Sequence, residues 1–356
     1  MNFIHRKEFA LSNTHCDFMR DLVVIPSLSG VLDVNILGSH ARERMEWEPI
    51  PAKKYTAGTQ FRFEFEKPQA YAHYFIELVG KFEADIGIDT RFDPVRPAPL
   101  SEIKTDLKTK SISFVGCARN CIVSLKSTIE LIHVLGSNFG SFSLHVFEND
   151  STDGTKEYLL GCEEQGLLKL SSTTGLDEIF PLRAQRLAYA RNILHQTLLS
   201  ESPDFFCVCD LDGIVGDRIE DVHDAFVANF GFSECWDAVF PVHRARYYDL
   251  WALRHEALMP DDFNLLMLNA PRVMNEAEML KFYANSAANI DFTSLRGWLE
   301  VQSAFGGMGI YKTEMFRHSS YFGIHKGLEI CEHVPFHQTA KDYGAKLYIN
   351  PAFVIG

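Results

Sequence analysis

Asp210-Leu211-Asp212-Gly213 directly follows the apolar run Phe205-Phe206-Cys207-Val208-Cys209. Two carboxylates two positions apart beyond a buried strand can point the same way and repel each other. Like charges that close require a cation or a raised pKa. Hard oxygen donors suit Mg2+ or Mn2+, which can bridge a protein to two phosphate oxygens. A cation so held stabilises a departing diphosphate as negative charge develops on it. The plain alternative is a solvated acidic turn, since Asp and Gly are common turn residues.

Two other apolar runs end in polar clusters. Ile112-Ser113-Phe114-Val115-Gly116-Cys117 ends in Ala118-Arg119-Asn120, and Leu144 to Phe147 ends in Glu148-Asn149-Asp150-Ser151-Thr152-Asp153-Gly154. Glu148 or Asp150 could accept hydrogen bonds from a base or ribose. The same stretch also reads as a capping turn for the helix that follows, and the two readings are compatible. The helical segment from Leu182 carries Arg183, Arg186 and Arg191-Asn192. Of these, Arg186 or Arg191 could bind phosphate or hold the aspartate pair, although arginines on a helix are more often simply solvated.

Further along, Tyr247-Tyr248-Asp249-Leu250-Trp251-Ala252 and Phe305-Gly306-Gly307-Met308-Gly309 mix aromatic residues with glycines. Aromatic faces beside a few polar groups suit sugar rings, and glycine in an apolar run marks close approach of a backbone or ligand. Tyr248, Trp251, Gly306 and Gly307 are therefore candidates for an acceptor or sugar pocket, with ordinary core and turn structure as the alternative. In Glu332-His333-Val334-Pro335-Phe336-His337, Glu332 is a candidate general base for an acceptor hydroxyl. His333 and His337 are candidate further ligands for a metal such as Mn2+; half a zinc site is disfavoured, because no Cys pair at finger spacing accompanies them.

The elements that must position these residues fall into two parts. Residues 1–105 show short alternating runs such as Phe61-Arg62-Phe63-Glu64-Phe65, with period two, and frequent Pro and Gly. That pattern predicts a small β-rich accessory domain. Pro94 to Leu107 is the linker candidate. Over residues 106–356, apolar runs alternate with helical spacings such as Ile122, Leu125, Ile129 and Ile132. This predicts βαβ units, a mostly parallel sheet and an α/β, Rossmann-like nucleotide-binding architecture. In such sheets ligands lie at the carboxyl ends of the strands, which is where the polar clusters fall.

Bulk composition narrows the function classes. The net charge of −13 over 356 residues argues against a nucleic-acid partner, which requires a basic face. An anionic diphosphate on an acidic protein needs local help, and a bound cation supplies it. Eight cysteines include Cys207 and Cys209 on one strand face, read as buried free thiols too far apart along the strand to bridge easily. No run reaches the roughly 18 apolar residues of a membrane span, and Met1 to Lys7 has no secretory core. The expectation is a cytoplasmic protein, with peripheral membrane association open.

Taken together, Arg119-Asn120, Glu148-Asn149-Asp150-Ser151-Thr152-Asp153-Gly154-Thr155, Asp210-Leu211-Asp212 and Glu332-His333 resemble the GT-A-fold glycosyltransferases. The nearest flavours are family 2-like enzymes and the capsule-associated mannosyltransferase-like group. The Tyr-Asp-x-Trp-Ala-x-Arg pattern of the latter is echoed by Tyr248-Asp249-Leu250-Trp251-Ala252-Leu253-Arg254. The resemblance covers roughly Ser111 to Ile355. It implies a nucleoside diphosphate sugar donor, Asp212 on the metal, Asp210 toward ribose or metal, nucleotide contacts near Arg119 and Asp150, and a late His as metal ligand. The family often places an acidic pair where Glu332 is here followed by His333. The resulting expectation is transfer of a sugar to a glycan, lipid-linked or protein hydroxyl. The alternatives are sugar-phosphate nucleotidyl transfer, for which Gly116-Cys117-Ala118-Arg119-Asn120 is a poor phosphate loop, and a non-catalytic carbohydrate-binding protein.

Overall fold

The computed structural model describes residues 5–13, 17–27, 31–39, 47–82, 86–213, 219–244, 247–256 and 297–356, with 258–259, 262–263, 274–275, 277–279, 281–282, 290 and 292. The chain divides into two units, Met1–Pro97 with Leu295–Glu300, and Ala98–Ser294 with Val301–Gly356.

Alternation builds the first unit. Its strands are β1 (His5–Ser12), β2 (Met19–Pro26), β3 (Val31–Ser39), β4 (Glu48–Pro49), β5 (Ala52–Ala57), β6 (Gln60–Gln69), β7 (His73–Gly80) and β8 (Ile88–Pro94), and it includes the two-residue β14 (Leu299–Glu300). In β6, Phe61, Phe63 and Phe65 are buried while Arg62 and Glu64 face solvent, as period two requires. Two antiparallel sheets form, in the orders β1-β7-β3-β4 and β5-β6-β2-β8. Their inner faces share one core that includes Leu22, Val24, Ile36, Phe63, Tyr74, Ile76 and Leu78. Each large side chain so buried contributes roughly 1.5–3 kcal/mol.

The expected linker is partly helical. Pro99 has φ −57° and ψ 149° and directly precedes α1 (Leu100–Leu107). Its fixed φ and missing N–H suit the start of a helix, so the prolines that suggested a linker here end one segment and begin another.

The second unit continues as β9 (Ser111–Ala118), α2 (Ile122–Gly136), β10 (Ser141–Asn149), α3 (Thr155–Glu164), β11 (Lys169–Thr173), α4 (Leu176–Ile179), α5 (Arg183–Glu201), β12 (Phe205–Asp210), α6 (Ile219–Ala228) and β13 (Ala238–His243). After β14 come β15 (Met308–Lys312), α7 (Thr313–Phe316), the hairpin β16 (Ile324–His325) and β17 (Leu328–Glu329), α8 (His333–Asp342) and β18 (Leu347–Ile355). Seven strands of this unit lie in the order β11-β10-β9-β12-β15-β13-β18. Strands β11, β10, β9 and β12 are mutually parallel, as are β13 and β18. β15 runs antiparallel to both β12 and β13, so the sheet is mixed, yet six of these seven strands run the same way and the expected mostly parallel sheet is present. The α/β architecture expected from the GT-A resemblance is present.

β12 is buried along its length until Asp210. Cys207 and Cys209 point to one face with their sulfurs 3.5 Å apart, closer than strand spacing suggested yet well beyond the roughly 2.05 Å of a disulfide. Both are free thiols. Among the described residues no helix is long and apolar enough to cross a membrane.

Candidate active site at the carboxyl edge of the sheet

The parallel pairing brings three strand ends level. Glu148 of β10 lies opposite Ala118 of β9, and Asp210 of β12 lies opposite Cys117. The loops leaving these strands are tied together by their own side chains. Asn120, at φ +50°, accepts from the Thr152 N–H through Oδ1 at 2.8 Å, and its own N–H donates to Ser151 Oγ at 3.2 Å. Asp153 accepts from Thr155 N at 3.0 Å and from Ile122 N at 3.1 Å, so one carboxylate serves the first turns of both α3 and α2. The capping role expected of this stretch thus extends to a second helix.

Glu148 is fully buried. Its Oε1 accepts from Ser151 N at 2.9 Å and its Oε2 from Ser172 Oγ at 2.7 Å. Asp150, at φ +52°, accepts from Gly175 N at 2.6 Å and Leu176 N at 3.1 Å, which holds its pKa down and fixes the start of α4. Both acids, expected beside a base or ribose, have their oxygens taken up by neighbouring backbone and hydroxyl donors.

What α4 presents in turn is Asp177, which the sequence reading did not single out. Its Oδ1 accepts from Arg119 NH1 at 2.8 Å and lies 3.0 Å from Arg186 Nε. Arg186 NH1 also donates to the carbonyls of Phe180 and Pro181, both at 2.8 Å. Arg119, Arg183 and Arg186 line one cleft of about 280 Å3 together with Cys117, Asn149, Asp210 and Asp212. Three guanidinium groups and two carboxylates therefore share a single opening at the carboxyl edge of the sheet.

Asp210 is the most perturbed acid in that cleft. Its side chain keeps 32% of its surface open. Burial of the rest pushes its pKa up to about 7; Asp212 and Asp249 add to the rise, while Arg191 and Arg183 oppose it. Its backbone N–H donates to Gly307 O at 2.8 Å. Gly306 and Gly307 have φ +67° and +85°, in the region that favours glycine, and they turn the chain into β15 beside Asp210. Asp249 secures this turn by accepting from Gly306 N at 3.0 Å and from Ala252 N at 3.3 Å. Asp249 is the aspartate of the Tyr-Asp-x-Trp motif, and local sequence gives it no role. Tyr248 is 44% exposed with its ring 4.5 Å from that of His243, whereas the neighbouring Tyr247 is core. Trp251 is partly buried, and its carbonyl accepts from Arg254 NH1 at 2.9 Å.

Behind Asp210 lies a buried charged group. Arg191, 6% exposed, donates from NH2 to Asp210 Oδ1 at 3.4 Å and from NH1 to Glu332 Oε1. Its guanidinium lies 5.1 Å from the Phe305 ring centroid, and Phe305 stacks on His333 at 4.0 Å. Glu332, 4% exposed, is also the N-cap residue directly before α8. As placed, it faces Arg191 rather than an open pocket for an acceptor hydroxyl.

The candidate ligands Asp210 and Asp212 are not joined in one cluster by either candidate late ligand, His333 or His337. Among the described residues no three His, Cys, Asp or Glu groups converge as ligands. Both ring nitrogens of His337 are engaged, Nδ1 with Ser303 Oγ at 2.8 Å and Nε2 with Tyr311 OH at 3.1 Å. Burial pushes its pKa down to about 3, so it is a neutral core histidine. His333 is buried with neither ring nitrogen hydrogen-bonded, its ring against Phe305. The i, i+4 spacing that suggested two ligands serves packing on the inner side of α8. The two aspartates do fit a hard divalent cation, which commonly takes one or two protein carboxylates and completes its shell with water and phosphate oxygens.

No protein-family profile matches this sequence, and neither does any curated protein. The chain is similar to solved structures at low identity. One is a mannosyltransferase from Pyrobaculum calidifontis in complex with GDP-Man and Mn2+, with 14% identity, 69% of this chain and 56% of that one covered, and a TM-score of 0.41. A second is glucosyl-3-phosphoglycerate synthase from Mycobacterium tuberculosis in complex with Mg2+ and UDP, with 14% identity, 71% and 74% covered, and a TM-score of 0.39. A third is residues 1–349 of S. aureus TarS, with 12% identity, 69% and 59% covered, and a TM-score of 0.37. The likeness is one of fold, and this chain spans a little over half of the mannosyltransferase.

The raised pKa of Asp210 has a definite sign. Folding favours its protonated form, so its stabilising contribution is complete below about pH 4 and is lost as pH rises through about 7. A cation held by Asp210 would compete with that proton. Affinity for Mn2+ is therefore expected to rise about tenfold between pH 6 and 8, measured by titration calorimetry. Asp210→Asn should bind weakly, with a flat pH profile over that range.

Proposed function

We propose that the second unit is a metal-dependent glycosyltransferase that moves a sugar from a nucleoside diphosphate sugar to a hydroxyl of a glycan, lipid-linked or protein acceptor. The observation that carries this reading is the shared cleft. Asp210 and Asp212 offer hard oxygen donors on one side, and Arg119, Arg183 and Arg186 offer phosphate-binding groups on the other. A divalent cation alone would not need the arginines, and a phosphate alone would be repelled by the aspartates. A diphosphate with its cation uses both.

In this reading Asp210 and Asp212 would hold Mg2+ or Mn2+, which when bound neutralises charge on the departing diphosphate. The arginines orient the phosphates, because a guanidinium offers several donors in a planar fork. Asp177 fixes Arg119 and Arg186 before the ligand arrives, which lowers the ordering cost of binding. The Gly306-Gly307 turn beside Asp210 and exposed Tyr248 would serve the acceptor, since an aromatic face suits a sugar ring.

Nucleotidyl transfer is the weaker reading. Its phosphate loop needs open backbone donors at the start of the helix after β9. Here the Ile122 N–H is already taken by Asp153, and the Cys121 N–H donates to Thr155 Oγ1 at 2.9 Å.

A thermal-shift screen of UDP-, GDP-, CMP- and dTDP-sugars with Mn2+, and with chelator, tests the proposal. A nucleotide bound at 100 times its Kd stabilises the folded state by about 2.7 kcal/mol. One donor class is expected to raise Tm in Mn2+ only. No shift with any donor under either condition would sink the reading.

A further inference from the structure

Glu332 carries an inference that rests on the reading above and goes beyond it. Asp210, Arg191 and Glu332 form one row, with a single buried cation between two carboxylates. Arg191 does not serve them equally. It donates to Glu332 directly, while its reach to Asp210 is 3.4 Å, at the long end of hydrogen bonding. Phe305 at 5.1 Å holds the guanidinium plane in place. Glu332 is stabilised from a second side, because as the N-cap residue directly before α8 it sits at the positive end of that helix.

We propose that Glu332 is a positioning residue that sets the divalent-cation affinity of the cleft, by drawing Arg191 away from Asp210 so that the Asp210 carboxylate stays turned to the opening. A guanidinium free of Glu332 would close fully onto Asp210 and compete with the cation for the same oxygens. Glu332 thereby acts on the cation through Arg191 without touching it. Its burial, and its contact with Arg191 rather than an open pocket, fit this role better than that of a base for an acceptor hydroxyl.

The test is the Mn2+ affinity of the full chain, read by the loss of free-Mn2+ electron paramagnetic resonance signal, with and without a nucleoside diphosphate. Glu332→Gln is expected to weaken Mn2+ binding about 10- to 100-fold, the range found when partners of metal ligands are removed. The double variant Arg191→Met/Glu332→Gln removes the competitor as well and is expected to recover wild-type affinity or better. An unchanged affinity in Glu332→Gln overturns the proposal, and a fall in turnover with that affinity intact would assign Glu332 as a base instead. If Glu332→Gln does not fold, the double variant decides: binding tenfold weaker than wild type overturns the proposal, and equal or tighter binding upholds it. Wild-type protein that binds no Mn2+ even with nucleoside diphosphate would instead overturn the metal-dependent reading itself.

Discussion

Asp212→Asn should lower the affinity for Mn2+ and nucleoside diphosphate together by at least about 100-fold, because removing even an outer partner of a metal ligand costs 10- to 100-fold. Its neutral amide cannot replace the charge of a carboxylate in a site that has only two. Folding should be unaffected. Asp212 is exposed at the mouth of the cleft, and exposed substitutions away from caps and strained turns typically shift stability by under about 0.5 kcal/mol. Titration calorimetry with circular dichroism separates the two quantities. Wild-type binding in Asp212→Asn removes Asp212 from the cation site.

The second large effect concerns stability. Arg191→Met replaces the one cation of the buried row with a side chain of similar length and no charge. Glu332, at 4% exposure, and the inner part of Asp210 are then left without their counter-ion. Removing one partner of a buried pair costs about 3–5 kcal/mol, far more than an exposed pair is worth. The loss should appear in urea unfolding as a lower midpoint with an unchanged slope. The further change Glu332→Gln should recover much of it, since removing both charges leaves no uncompensated carboxylate beside α8. A loss below about 1 kcal/mol in Arg191→Met would mean that water or relaxation, rather than Arg191, satisfies Glu332.

The residues legible in the sequence are those whose chemistry is local. Asp210 and Asp212 stood out because a fully apolar strand ends in them, and parallel strand ends share an edge. The alternation at Phe61, Phe63 and Phe65 likewise announced a half-buried strand. Pairings distant along the chain were not legible. Asp177 is an ordinary acidic residue in a short helix until α4 is seen to set it against Arg119, 58 positions away. The contact between Arg191 and Glu332 spans 141 positions. Nothing in either neighbourhood states that an arginine of α5 will meet the residue that caps α8.

His333 and His337 show how little local spacing says about direction. Two histidines one helical turn apart after a glutamate present a ligand-like spacing, but spacing does not say which side of a helix faces a site. The apolar neighbour Phe336 is fully buried with them, which marks that side of α8 as core. Sheet order was equally hidden. β1 pairs with β7 and β15 inserts between β12 and β13, choices made by packing rather than by any signal within those strands. The Gly306-Gly307 pair was legible as a close approach, and the approach is that of the Asp210 backbone.

The measurement that bears most directly on the central claim is nucleoside diphosphate release from the sugar nucleotide that raises Tm, followed with Mn2+ and with chelator in wild type and Asp212→Asn. Wild type in Mn2+ should release diphosphate over many turnovers once an acceptor sugar is supplied, and slowly by hydrolysis without one. Chelator and Asp212→Asn should each reduce release to background. Release that persists unchanged in chelator and in Asp212→Asn would contradict a site built on Asp210 and Asp212.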